Sequence, residues 1–176
     1  MDNKEPVLRI KDLRKTYGGW FRKRTVALDG VSFSVMPGEV FGLLGPNGSG
    51  KSTTIKLVLG LIRPSGGSLS VLAGSPGSRR SLAGIGYLPE ENYFQSFLTG
   101  FQILDFVGKL YSMRAKERRA RVDELLETVG LRDAAGRAIR EYSRGMLRRI
   151  GIAQALMGQP KLLLLDEPTS GLDPIG

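Results

Sequence analysis

The stretch Val40-Phe41-Gly42-Leu43-Leu44-Gly45-Pro46-Asn47-Gly48-Ser49-Gly50-Lys51-Ser52-Thr53 decides the fold of this chain. Residues 40–44 form a continuous apolar run, the kind of strand that is buried on both faces of a parallel sheet. Gly45-x4-Gly50-Lys51-Ser52 follows it. Ile55, Val58, Leu59 and Ile62 then recur at i, i+3, i+4, i+7 and predict a helix. Strand, glycine loop and helix, in that order, are the context a phosphate-binding P-loop requires. The glycines let successive backbone N–H groups point inward at phosphate oxygens, and the helix N-terminus adds a partial positive charge. Lys51 would reach the β- and γ-phosphates, and the Ser52 hydroxyl would ligate Mg²⁺.

Toward the C-terminus a second apolar run, Leu162-Leu163-Leu164-Leu165, ejects Asp166 and Glu167 at its end. That end of a strand is where α/β sheets bind ligand. Alone, the run is ordinary strand-to-loop punctuation. Beside a P-loop, Asp166 suits the hydration shell of Mg²⁺. Glu167 suits a general base that polarises the attacking water, a carboxylate being the best base in a chain with 0 His. The two motifs together point to nucleoside triphosphate hydrolysis.

Around this frame, residues 7–10 and 26–35 read as strands, joined by a basic aromatic loop at Gly18–Arg24. Residues 66–78 are Gly- and Ser-rich turns around a short strand, 68–72, and another strand at 85–89 is stopped by Pro89. The texture then turns helical. Thr99 and Gln102 form a capping box, with Leu104, Val107 and Tyr111 beyond it. Val122, Leu125, Leu126 and Val129 make the next stripe, closed by Gly130. Ser143 opens a third helix carrying Met146, Ile150, Ala153 and Met157 on one face, and flanking arginines make its N-terminus a candidate second phosphate site. The expected organisation is a core and β-subdomain at 1–90, a helical subdomain at 91–158, and a return to the core at 159–176.

The 176 residues are 41% hydrophobic and 24% charged, which excludes a disordered or membrane-spanning chain. With 0 Cys and 0 His there is no disulfide framework, no thiolate metal site and no Ser-His-Asp chemistry. The N-terminus lacks the apolar region of a signal peptide, so a cytoplasmic chain is expected. The net charge of +9 concentrates at 9–24 and 114–149, which reads as solvated faces plus one anion site.

The ordered set of P-loop, Tyr87-Leu88-Pro89-Glu90, Tyr142-Ser143-Arg144-Gly145-Met146, Leu165-Asp166-Glu167-Pro168-Thr169 and Ser170-Gly171-Leu172-Asp173 resembles the ATP-binding subunit of an ABC transporter. The resemblance runs from about residue 7 to the last residue. It implies an α/β P-loop NTPase core with an N-terminal antiparallel β-subdomain and an inserted helical subdomain. ATP and Mg²⁺ are the implied cofactors. Nucleotide would be held by Tyr17, stacking on adenine, by Gly45, Pro46, Asn47, Gly48, Ser49, Gly50, Lys51, Ser52 and Thr53, and by Ser143 and Gly145 closing over the γ-phosphate of a partner subunit. Ser52, Glu90 and Asp166 would hold the metal, and Glu167 and Lys51 would serve catalysis. The working unit would be a head-to-tail dimer, and Asp173 would cross its interface.

Some positions depart from the family pattern. Glu90 stands where the family has glutamine, which adds a negative charge beside the γ-phosphate, and Arg144 and Met146 replace the usual Gly and Gln of the signature. These variations resemble the branch serving ABC-2-type exporters, whose integral-membrane permease is a separate chain. Tyr93, Phe94, Phe97 and Phe101 are the candidate grip on that permease, at the cytoplasmic face of the membrane. The family's switch histidine and C-terminal strands are expected beyond Gly176. The chain therefore reads as a fragment truncated after the D-loop, in which ATP binding survives and efficient hydrolysis does not. Two alternatives stand beside this reading. One is a nucleotide-binding module without turnover, suggested by Glu90 and by the missing tail. The other is a soluble ABC-type ATPase acting on nucleic acid. The sequence weighs against the latter, because no sustained heptads separate Lys51 from Ser143 and the motifs occur once.

Overall fold

The computed structural model of the protein describes residues 5–18, 24–91 and 93–168. In strand β1 (Leu8–Tyr17), Leu8 and Ile10 turn inward at the period of a strand until Asp12 adopts φ 48. The register slips there, between Ile10 and Leu13, so that Leu13 becomes the next buried side chain. This is a bulge, and the Ser32 hydroxyl takes the Asp12 N–H at 2.8 Å. The slip carries the strand well past residues 7–10, where simple alternation stops. β2 (Thr25–Val35) pairs antiparallel along one edge of β1, from Leu8↔Val35 to Tyr17↔Thr25. β3 (Gly66–Val71) pairs antiparallel along the other, giving the order β2-β1-β3.

Helix α1 (Lys51–Val58) packs on β2 and β3 through Ile55, Leu57 and Val58. A five-residue helix absent from the sequence reading, α2 (Arg79–Ala83), is capped by Ser78, and its buried Ser81 hydroxyl lies 3.0 Å from the carbonyl oxygens of Val71 and Ser75. Val40–Leu44 corrects the expectation. Among the described residues no strand pairs with it, Val40 is 100% and Leu44 96% exposed, and its one aromatic, Phe41, stacks on Phe33 at 4.7 Å. An apolar run becomes a buried strand only when neighbouring strands supply hydrogen bonds and cover.

The residues group into two compact units, Met1–Gly84 and Ile85–Gly176. In the second, β4 (Ile85–Leu88) and β5 (Leu162–Leu165) run parallel in register from Ile85↔Leu162 to Leu88↔Leu165. Helices α3 (Gly100–Leu110), α4 (Ala115–Thr128) and α5 (Arg144–Leu156) close round Leu104, Val122, Leu126, Ile150, Ala153 and Met157. Each terminus has a local cause. Thr99 and Gln102 complete the capping box at 3.2 and 2.9 Å. Gly130, at φ 64, ends α4 with its own N–H on Glu127 and that of Leu131 on Leu126, a Schellman motif. No helix of the described residues is long and apolar enough to cross a membrane.

Candidate nucleotide-binding site

The glycine loop takes the conformation its composition demands. Gly48 and Gly50 sit at φ 81 and 96, and Gly50 is the N-cap of α1 with no side chain capping the helix. The first N–H groups of that helix are therefore open to an anion, and its dipole favours one. A Cβ on Gly50 would meet the Ala27 carbonyl oxygen at 2.6 Å and Leu28 Cδ2 at 2.7 Å, so close packing of α1 on β2 also requires glycine there. Lys51 folds back along the loop, where its Nζ donates to the carbonyl oxygens of Gly45 at 2.8 Å and Pro46 at 3.0 Å. The Ser49 N–H bonds Pro46, and Thr54 bonds Gly50 through both its N–H and its hydroxyl. Gly45–Ser49, Asn47 among them, are exposed, while Ser52 and Thr53 are half-buried in the first turn. Tyr17 ends β1 with an exposed ring, and the Lys15 ammonium lies 5.0 Å from its centroid.

Tyr17 and the P-loop belong to the first unit, and the remaining candidates belong to the second. There the parallel register sets the Glu90 and Glu167 loops side by side. The Asp166 N–H extends the ladder to the Leu88 carbonyl at 2.9 Å, and Asp166 itself is buried at 7% exposure. Glu167 occupies the left-handed region at φ 48. The negative charge collected here is felt by Tyr87: burial first, then Asp166 and Glu90, push its phenol above the ordinary value of 10.0. Mg²⁺ is ordinarily bound through one or two carboxylates, substrate phosphates and water rather than a protein cage, and Asp166 and Glu90 in this unit are carboxylates of the type it takes, while Ser52 lies in the first unit.

Ser143 is the N-cap of α5, its hydroxyl accepting the Met146 N–H at 3.2 Å, and Gly145 lies half-buried in the first turn. Two of the flanking arginines do not serve a phosphate there. Arg149 donates to the carbonyl oxygens of Val129 and Gly130, and Arg148 turns inward to five others. Sequence reasoning missed Arg148 as a buried anchor, since an arginine at a helix start carries no signal of burial. Of the aromatics after Glu90, Phe94 and Phe101 pack against the helical core, whereas Tyr93 and Phe97 are exposed. Thr169–Asp173, including the candidate interface residue Asp173, lie outside the described residues, as does most of the loop at 18–24.

Comparison with known proteins shows the family. Residues 28–170 match the family described as ABC transporter. An uncharacterised ABC transporter ATP-binding protein of Nostoc sp. is 49% identical over 99% of this chain and 53% of its own length. The linearmycin resistance ATP-binding protein LnrL of Bacillus subtilis is 43% identical over 96% of this chain and 53% of its own. This chain thus spans about half the length of the curated relatives it matches. Among solved structures, the dimeric cassette MJ0796, in a post-hydrolysis state bound to ADP and Pi, superposes with a TM-score of 0.81 at 27% identity. That match covers 94% of this chain and 76% of the cassette.

Proposed function

This chain belongs to the ABC transporter family, and on that premise we propose that it binds MgATP and, in the whole protein, hydrolyses it to drive a separate membrane permease. The observation that carries the reading is the loop at 45–53. Two glycines at positive φ, an uncapped helix start and a lysine folded over the loop form a cradle for a triphosphate. Tyr17 stacks on the adenine. Lys51 bridges the β- and γ-phosphates. Ser52, Asp166 and Glu90 are the residues that would hold Mg²⁺, which when bound neutralises charge building on the phosphates. Glu167 orients and polarises the attacking water.

The working unit is a head-to-tail homodimer, in which Ser143 and Gly145 of one subunit cover the γ-phosphate held by the other. The dimeric cassette among the similar structures supports this assembly. Export is the direction favoured, because relatives include a linearmycin resistance protein and a Nod factor export protein. The exposed Tyr93 and Phe97 are the first candidates for the permease contact, at the cytoplasmic face of the membrane.

A thermal melt of the chain with and without MgATP tests the reading. Nucleotide at about 100-fold over its dissociation constant should raise stability by about 2.7 kcal/mol, and Lys51→Ala should abolish that shift. A melt that MgATP leaves unmoved, or moves equally in Lys51→Ala, would refute the P-loop assignment.

A further inference from the structure

Arg148 presents the most complete hydrogen-bonding arrangement in the second unit. A guanidinium has five N–H donors and no acceptor. Here all five are used: Nε on the Pro168 carbonyl at 3.2 Å, one terminal nitrogen on Pro89 and Glu90 at 2.6 and 3.1 Å, the other on Asp166 and Glu167 at 2.5 and 2.6 Å. The residue is 4% exposed, and among the described residues no carboxylate pairs with it. Among the described residues its charge is compensated by backbone dipoles alone. Those dipoles belong to two loops far apart in sequence, the one leaving β4 and the one leaving β5, and Arg148 itself stands in the second turn of α5 behind Ser143 and Gly145.

We propose that Arg148 is a positioning residue, which ties the start of α5 to the backbones carrying Glu90, Asp166 and Glu167. The need for it is visible at Glu167. A non-glycine residue at φ 48 is disfavoured and persists only where its surroundings hold it. The Arg148 bond to the Glu167 carbonyl is such a hold, and it fixes the direction in which the carboxylate leaves the chain. The planar fork matters as much as the charge, since an ammonium has three donors and no fixed plane, and cannot span both loops. Through this one side chain, a shift of α5 is transmitted to both carboxylate-bearing loops. The functional half of this inference rests on the reading of Glu167 as the base that polarises water.

The test compares the unsubstituted chain with Arg148→Met, which keeps the stem and removes every donor, and with Arg148→Lys. Amide hydrogen exchange is read at 86–91, 163–168 and, as an internal reference, 100–110. KM and kcat for MgATP are measured alongside on the whole protein carrying the same substitutions. Arg148→Met should raise exchange in both loop segments together and leave the reference unchanged. It should lower kcat at least about tenfold with KM held within about threefold, as expected when a reacting group is misplaced but the cradle is intact. Arg148→Lys should recover part of both effects.

Exchange that stays at the unsubstituted level in either loop would overturn the clamp, as would an equal rise in the reference segment. Should Arg148→Met fail to fold, Arg148→Lys decides alone. Paired loosening of the two loops supports the proposal, and unchanged loops refute it. Should the unsubstituted whole protein show no turnover, the hydrolytic reading falls and the exchange arms still decide the clamp.

Discussion

At Gly50 two independent demands meet in one residue. The positive φ that opens the phosphate cradle and the contact of α1 with Ala27 and Leu28 both exclude a side chain. Asp105, on α3, is decided by charge instead. Its carboxylate pairs with Lys109 at 2.7 Å and with Arg118 at 2.5 Å. The Lys109 hydrogen bond first, then that of Arg118, holds its pKa below the ordinary 3.8. A carboxylate with a lowered folded pKa contributes stability above the unfolded value and loses it as pH falls through the folded one. Asp105→Asn should therefore cost about 1 kcal/mol at neutral pH, screened by salt. The difference should shrink below about pH 4, toward nothing once Asp105 itself is protonated. Urea titrations at pH 7 and pH 3 check this, and a gap of equal size at both would assign the loss to packing.

Among the elements, the helices owe their boundaries to residues close by. The capping box of α3 satisfies one N–H through the Thr99 hydroxyl and another through Gln102. Thr99→Ala should cost about 1 kcal/mol of stability, whereas Thr99→Ser, retaining the oxygen, should cost much less. Equal melts for the two variants would mean that the cap contributes nothing beyond its β-branch. The same locality explains which elements were legible from sequence. The apolar stripes of α3, α4 and α5 and the glycine closing α4 were readable because i→i+4 bonds and caps involve neighbours a few positions apart. α2 was not readable, since five residues give no periodicity to detect. Nor was the full extent of β1, whose alternation is broken by the Asp12 bulge.

On the scale of the whole molecule, each unit carries its own core, and the apolar run 40–44 stands outside the first one. Replacing Val40 and Leu44 by threonine should each change stability by less than about 0.5 kcal/mol, because exposed side chains bury nothing to lose. Leu57→Ala, by contrast, removes a side chain with 0% exposure and should cost about 2–5 kcal/mol. Chemical denaturation of the three variants checks the ordering. A large loss at Val40 would mean that the run is covered in solution.

The sequence by itself determined the glycine loop and its helix, the short strands at 7–10 and 26–35, the helical insert and the strand that delivers Asp166 and Glu167. Each of these depends on conformational preferences and periodicities expressed within a few residues. The antiparallel β-subdomain was implied by the family resemblance. Only the tertiary structure decided that Val40–Leu44 lies uncovered and that Arg148 faces inward. A strand's ladder and a buried guanidinium's acceptors come from other parts of the chain, and for Arg148 they lie 18 to 59 residues away. No local pattern records a partner at that distance.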